Sequence, residues 1–382
     1  MTGGGGLRRL VGDGSRELVA GLAEALDGGP AVLPVEPGQA VPPPGEPDPG
    51  TAVVIMTSGS SGEPKLVQLS ASALRASATA TATRLGGPGR WLLALPATHV
   101  AGVQVIVRSL LAGHDPVRQD LRDGFRPAGF AAATAELAGA RRRYTSLVPT
   151  QLVRLLDAGS AALEALRSYH AVLVGGAALD AGLRARALAA GVRVVTTYGM
   201  SETAGGCVYD GVPLDGVQVR LDADGGIRLG GPTLASGYLG RPEETARAFT
   251  DGWFRTGDHG RFRDGRLEVL GRLDDMIITG GEKVAPAAVE RILLTQPGVR
   301  AACVVGLPDP EWGQVVAAAV VADPAADAPD LDRLPDAVRA ELGRAAAPRR
   351  LRTLPEIPLL GIGKPDRAAV AELLAGPHRS TG

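Results

Sequence analysis

Apolar positions along this chain come in short runs broken by Gly, Pro and charge, and their spacing separates helices from strands. Residues 15–26 carry apolar side chains at helical spacing behind Ser15, an N-cap residue type, and predict a short helix. Residues 31–35 predict a strand, whereas 36–50 are so dense in Pro and Gly that only a surface connection is expected. The apolar run 52–56 predicts a buried strand leading straight into a hydroxyl-rich Gly loop, and the Ala-rich stretch 70–84 predicts a helix. Strand patterns at 91–95, 171–174 and 192–196 then alternate with helical patterns at 102–111, 152–156, 161–166 and 181–190. Such alternation implies parallel strands joined by helical crossovers. After Gly211 the texture changes to short strands at 217–221, 226–229 and 267–270 between Gly-Asp turns, as expected of an antiparallel sheet. A second compact unit follows Arg272, with helices at 286–294 and 334–342 and strands at 301–307 and 315–322.

Length and charge narrow the classes. A chain of 382 residues can hold two or three domains with a substantial core. Its formal net charge of -1 gives no general attraction to nucleic acid or anionic lipid, so Arg141-Arg142-Arg143 and Arg349-Arg350 read as solvated helix ends or loop edges. Residues 1–10 contain no apolar stretch of signal-peptide type, and runs such as 315–322 are too short to cross a bilayer. Cys207 and Cys303 lack Cys-x-x-Cys spacing and suit a reducing, cytoplasmic setting, and the scattered histidines form no pair at metal-ligand spacing.

Lysine marks the candidate chemistry. Of 40 basic Lys and Arg residues only Lys65, Lys283 and Lys364 are lysines, each in a Gly-rich segment where a compact point charge could meet a phosphate. The run Thr57-Ser58-Gly59-Ser60-Ser61-Gly62-Glu63-Pro64-Lys65 is not a Walker A element, because Glu63-Pro64 separates the glycine from the lysine. Its hydroxyls, backbone N–H groups and terminal ammonium can nonetheless wrap a polyphosphate tail; taken alone, a Ser/Gly loop is a linker about as often. In Thr197-Tyr198-Gly199-Met200-Ser201-Glu202-Thr203, Tyr198 can stack on a planar base and Glu202 can reach a phosphate-bound cation, or else Tyr198 is core and Glu202 a solvated carboxylate. Asp258, in Phe254-Arg255-Thr256-Gly257-Asp258, could accept two ribose hydroxyls or simply make a turn.

Together these segments, in this order, resemble the acyl- and aryl-CoA synthetase branch of the adenylate-forming superfamily over roughly residues 53–364. The resemblance implies an α/β fold: a large N-terminal adenylate-forming domain over 1–271, with parallel sheets, helices and a small antiparallel subdomain, and a small mobile α+β C-terminal domain over 272–382, hinged near Asp274. It implies ATP, Mg²⁺ and coenzyme A as cofactors and a small carboxylic acid as substrate, with no nucleic-acid partner; a homodimer is compatible with it. On this likeness Thr57, Ser58, Gly59, Ser60, Ser61, Gly62 and Lys65 hold phosphates, and Gly175, Gly176, Ala177 and Tyr198 hold adenine, with Gly199 and Met200 beside them. Ser201 touches the α-phosphate, Glu202 binds Mg²⁺, Asp258 and Arg272 take the ribose, and Lys364 bridges the α-phosphate and the substrate carboxylate. Gly280 and Gly281 would leave room for a pantetheine arm.

The segment from Pro96 to Arg108 narrows the expected substrate. His99 occupies a position that in the family lies beside the acyl pocket, and Arg108 would sit on the following helix; an arginine facing that pocket is costly unless it meets an anion. A second substrate carboxylate would supply one, a pattern similar to the o-succinylbenzoate-CoA ligases of menaquinone biosynthesis. The rival readings are a ligase for another aryl or medium-chain acid and a non-catalytic nucleotide-binding module.

Overall fold

The computed structural model describes residues 6–41, 45–57, 64–324, 326–360 and 364–375, and the side chains of Leu360 and Lys364 lie outside this description. The first helix is Arg16–Leu26, where Ser15 Oγ accepts from Leu18 N at 3.4 Å, and it buries Leu18, Leu22 and Ala25. Strand Ala31–Val35 follows as its composition predicts, flanked by a strand, Leu7–Val11, that the Gly-rich start had concealed.

Residues Thr51–Thr57 and Lys65–Ser70 form an antiparallel hairpin in which Thr57 stands opposite Lys65. The Gly loop thus connects two strands of one sheet, unlike a P-loop, which passes from strand to helix. Gly237–Tyr238 pairs with Lys65–Ser70 on the far side and completes a five-stranded sheet. Helix Ala71–Arg84 then starts from Ser70, whose hydroxyl accepts from Ala73 N at 3.1 Å.

A seven-stranded sheet forms the second layer. Strands Arg90–Leu93, Val117–Arg118, Arg143–Leu147, Ala171–Val174 and Val194–Met200 run parallel, and Gly205–Tyr209 and Val212–Pro213 extend the sheet antiparallel. Helices Val100–Leu111, Pro149–Asp157, Ser160–Arg167 and Ala181–Ala189 supply the expected crossovers. One apolar cluster packs helices Arg16–Leu26, Ala71–Arg84 and Val100–Leu111 between the two sheets, and a second, around Phe130, Leu152 and Tyr169, covers the other face of the parallel sheet. The antiparallel unit follows, built on the long strand Trp253–Arg263, which pairs with Gly226–Gly230, Phe249–Thr250 and Arg266–Arg272.

Beyond it, strands Ile277–Thr279, Glu282–Val284, Val299–Asp309, Gly313–Ala322 and Arg350–Thr353 form a separate sheet packed by helices Pro286–Leu293, Leu334–Leu342 and Arg367–Ala375. The clusters that fill this unit begin at Ile277, and those of the larger unit end at Leu267. Two separately closed cores are thus joined by about ten residues of chain.

Candidate active site

The parallel strands Ala171–Val174 and Val194–Met200 deliver Gly175 and Tyr198 to their C-terminal edge, where open α/β sheets bind ligands. A Cβ on Gly175 would lie 2.2 Å from Thr197 Oγ1, so only glycine lets the two strand ends approach this closely. Gly176 and Ala177 follow it at the exposed lip. Tyr198 donates its hydroxyl to Asp258 Oδ2 at 2.6 Å. Burial and then the negative charge of Asp258 push the Tyr198 phenol well above its usual range, so it remains a donor at any physiological pH.

Asp258 is 7% exposed, and its backbone N–H is held by Thr256 Oγ1 at 2.9 Å. Arg272 Nη1 lies 3.7 Å from Asp258 Oδ1, while Arg272 also makes a forked contact to Asp274, with Nε at 2.9 Å from Oδ1 and Nη2 at 3.1 Å from Oδ2. That fork holds Asp274 below the usual carboxylate range and raises Arg272. Tyr198, Asp258, Arg272 and Asp274, spread over 77 positions of sequence, thus form one continuous polar chain.

A second chain runs beside it. Met200 ends its strand, and Ser201 and Glu202 enter a single 3₁₀ turn in which Ser201 is buried. Glu202 Oε1 accepts from Tyr238 at 3.0 Å, and the Tyr238 ring lies 4.8 Å below the Lys65 ammonium. Lys65 Nζ in turn pairs with Glu244 Oε2 at 2.8 Å, and this contact, before that of Arg241, holds Glu244 below its usual range. Sequence reasoning missed Tyr238, Glu244 and Arg241. Only five tyrosines occur in the chain, and the Gly-Tyr pair followed by Arg-Pro-Glu-Glu was a usable signal, since a tyrosine in so aromatic-poor a sequence must bury its ring and still satisfy its hydroxyl.

Several expected site residues stand elsewhere. His99 is exposed at the N-cap of helix Val100–Leu111, near the same edge of the parallel sheet. Arg108 does not face that edge: it lies nine positions later on the helix, about 13 Å along its axis. There it is 7% exposed, donates to the Tyr209 hydroxyl at 3.4 Å and stacks 5.0 Å from the Trp91 ring. Trp91 is the second residue of its parallel strand, towards the end opposite Gly175, so the structure places this guanidinium in the interior between Trp91 and Tyr209, where burial lowers its pKa. Gly280 and Gly281 form the tight turn between Ile277–Thr279 and Glu282–Val284, with φ of 58° and 85°. The space beside Gly280 is taken by Trp312, which a Cβ would meet at 2.7 Å, whereas Gly281 is open. Thr57 closes strand Thr51–Thr57, and Ser58, Gly59, Ser60, Ser61 and Gly62 lie outside the described residues. Lys364 begins the short strand Lys364–Pro365 and pairs with Leu360.

The chain matches the AMP-binding enzyme family over residues 13–239 and the AMP-binding enzyme C-terminal domain over residues 288–364. The chain belongs to the AMP-binding enzyme family. This AMP-binding enzyme is 48% identical over 332 residues to a probable 2-succinylbenzoate–CoA ligase of Mycobacterium tuberculosis (strain ATCC 25618 / H37Rv), with 86% of both chains covered. A feruloyl-CoA synthase of Streptomyces sp is 34% identical over 90% of this chain and 72% of its own. Among solved structures, O-succinylbenzoate coenzyme A synthetase (MenE) from Bacillus subtilis in complex with AMP aligns with a TM-score of 0.70 at 28% identity, covering 83% of this chain and 68% of that one. Among the described residues no helix is long and apolar enough to cross a membrane.

Proposed function

We propose that this enzyme activates o-succinylbenzoate with ATP and transfers the acyl group to coenzyme A, yielding o-succinylbenzoyl-CoA, AMP and pyrophosphate in menaquinone biosynthesis. The observation that carries the reading is the 48% identity over 86% of both chains to a relative of that name. The site chemistry supports it. Gly175, Gly176 and the Tyr198 ring would receive adenine, while Asp258, oriented by Tyr198 and Arg272, would accept the ribose hydroxyls. Lys65 and the Thr57 loop would take the terminal phosphates, and Ser201 the α-phosphate.

A carboxylate oxygen of the acid attacks the α-phosphorus, the bond to the β-phosphate oxygen breaks, and pyrophosphate leaves. Lys364 would neutralise the charge that grows on the phosphoryl oxygens and align the two reactants, which is positional and electrostatic catalysis with no covalent enzyme intermediate. The coenzyme A sulfur then attacks the acyl carbon, its proton passes to solvent and AMP departs. Two closed cores meeting between Leu267 and Ile277 support a division near residue 272 with Asp274 as hinge, so that the small domain presents Lys364 for the first step and the Gly281 turn for the second.

Magnesium fits this site through one carboxylate. Glu202 Oε1 is held by Tyr238, and among the described residues no group of three or more His, Cys, Asp or Glu could cage a metal. Mg²⁺ is commonly bound by one or two carboxylates plus substrate phosphates, so Glu202 would share it with the nucleotide, where it would offset phosphate charge.

A second reading, a ligase for another aryl acid, is favoured by one observation: Arg108, the residue that argued for a second substrate carboxylate, lies in the interior beside Trp91. A panel of carboxylic acids assayed with ATP, Mg²⁺ and coenzyme A for AMP release separates the two. A clear preference in kcat/KM for o-succinylbenzoate supports the first reading. Preference for a monocarboxylic aryl acid such as ferulate would transfer the assignment to the second.

A further inference from the structure

We propose that a second ligand site, for a phosphate dianion carried free or as a small ester, lies at the end of the parallel sheet opposite the nucleotide edge. A cavity of about 460 Å³ opens there between the start of strand Arg90–Leu93 and residues 138–142. Its wall carries the guanidinium-bearing residues Arg90, Arg141 and Arg142 and the imidazole of His114, and no carboxylate-bearing residue lines it. Arg90 is in register with Arg143 at the first position of two parallel strands, whereas Gly175 follows the last residue of its strand and Tyr198 lies beyond the last parallel pair, Val174 with Thr196. The two sites therefore sit at opposite ends of the same strands and cannot share a ligand.

Three features separate this cavity from an ordinary solvated basic patch. Arg90 Nε is buried and has no hydrogen-bond partner among the described residues. That guanidinium is therefore not neutralised or fully satisfied by the protein itself. Second, the three guanidinium-bearing residues share one wall without a counter-charge: no carboxylate lines the cavity, and none of Arg90, Arg141 and Arg142 takes part in an ion pair among the described residues. Third, the positive field extends past the cavity: His170 is held below its usual pKa first by burial and then by Arg193, Arg142 and Arg143.

Like charges gathered without a counter-charge repel, and an anion reverses the sign of that energy. Guanidinium forks fit phosphate oxygens two at a time, which favours a tetrahedral dianion over a monovalent ion. Pro88, Ala138 and Ala140 provide an apolar wall beside the cationic one, so the cavity can also receive a short organic body attached to the phosphate.

Calorimetric titration of the full chain, with AMP held at saturation to fill the nucleotide edge, tests the site with two probes, inorganic phosphate and glycerol 3-phosphate. The expected result is saturable binding of one equivalent at about millimolar or tighter, at least tenfold weaker in the Arg141→Gln/Arg142→Gln double variant and unchanged in Lys65→Gln. Arg141 is exposed and Arg142 half-buried, so folding should survive, and matching circular dichroism of the variant checks it. Whichever probe binds tighter identifies whether the dianion is used free or as an ester. Heats that vanish at matched ionic strength, or binding that persists undiminished in the double variant, overturn the proposal. Loss of binding in Lys65→Gln would do so as well, by returning the anion to the nucleotide edge.

Discussion

Removing one oxygen, in Tyr198→Phe, tests whether the carboxylate of Asp258 is held ready for a ribose. The hydroxyl that would be lost donates to Asp258 Oδ2 at 2.6 Å, and the acceptor is 7% exposed. Hydrogen bonds to charged groups contribute about 1.5–3 kcal/mol, and loss of this one leaves Oδ2 with poor access to water. Arg272 cannot replace it, because its nearest nitrogen lies 3.7 Å from the other oxygen and its fork is committed to Asp274. Tyr198 is only half-buried, so some solvent can enter and the lower end of the range, about 1.5 kcal/mol, is the better expectation; that is about a tenfold loss of AMP affinity. The phenylalanine ring keeps the stacking surface, so the loss should fall on the sugar alone. Isothermal titration with AMP and with 2′,3′-dideoxy-AMP closes a double-mutant cycle. The expected outcome is tenfold weakening for AMP and little change for the dideoxy nucleotide. Equal weakening of both ligands would refute the reasoning, because the hydroxyl would then act through packing and not through Asp258.

Further outcomes follow from the same geometry. Lys364→Ala should abolish pyrophosphate release while AMP and ATP affinities stay within a few-fold of the parent, measured by phosphate-coupled assay and calorimetry; turnover at the parent rate would remove Lys364 from the chemistry. Tyr238→Phe frees Glu202 Oε1 and leaves only the ring beneath Lys65, so the Mg²⁺ concentration giving half-maximal rate should rise several-fold, and an unchanged metal dependence would show that Glu202 needs no such restraint. Arg108→Met removes a buried cation whose contacts are the Tyr209 hydroxyl and the Trp91 ring, so the unfolding free energy should change by no more than about 1 kcal/mol and kcat/KM for the acid by less than about twofold, whereas a large rise in KM would restore Arg108 to substrate recognition. Burial raises the Cys207 thiol from 9.0 to about 12. The unfolded thiol ionises first, so the unfolded state holds fewer protons across that interval and stability should fall as pH rises from 9 towards 12, by up to about 1.4 kcal/mol per unit from this group. Chemical denaturation midpoints over that range, compared with Cys207→Ala, measure the slope, and identical slopes would sink the assignment.

Much of the architecture could be read from local pattern. Helix Arg16–Leu26 with its Ser15 cap, strand Ala31–Val35, helix Ala71–Arg84 and strand Ala171–Val174 coincide with their expected limits to within a residue, because capping and apolar periodicity act between neighbours in sequence. Strands Lys65–Ser70 and Trp253–Arg263 escaped notice. The first has no Gly or Pro to mark it off from the following helix, and the second carries Asp258, His259 and three arginines that disguise a strand held by partners on both sides.

The identities of the polar groups were written in the chain: the three lysines in glycine-rich surroundings, and Tyr198, Glu202, Asp258 and Arg272 in their order, are matters of residue type and spacing. Which oxygen each would meet was not, since Tyr198 and Asp258 are 60 positions apart, and Lys65 and Glu244 far more, and only the packing of one sheet against another, or of a helix against a strand, brings such groups within hydrogen-bond reach. Arg108 shows the same limit from the other side. Its helix and its place on that helix were legible, but the direction of a side chain nine residues from His99 depends on which neighbours close around it, and those neighbours, Trp91 and Tyr209, come from two different strands. Short-range forces act along the backbone and leave their record in the order of residues; long-range contacts exist only once the chain has collapsed and chosen among partners.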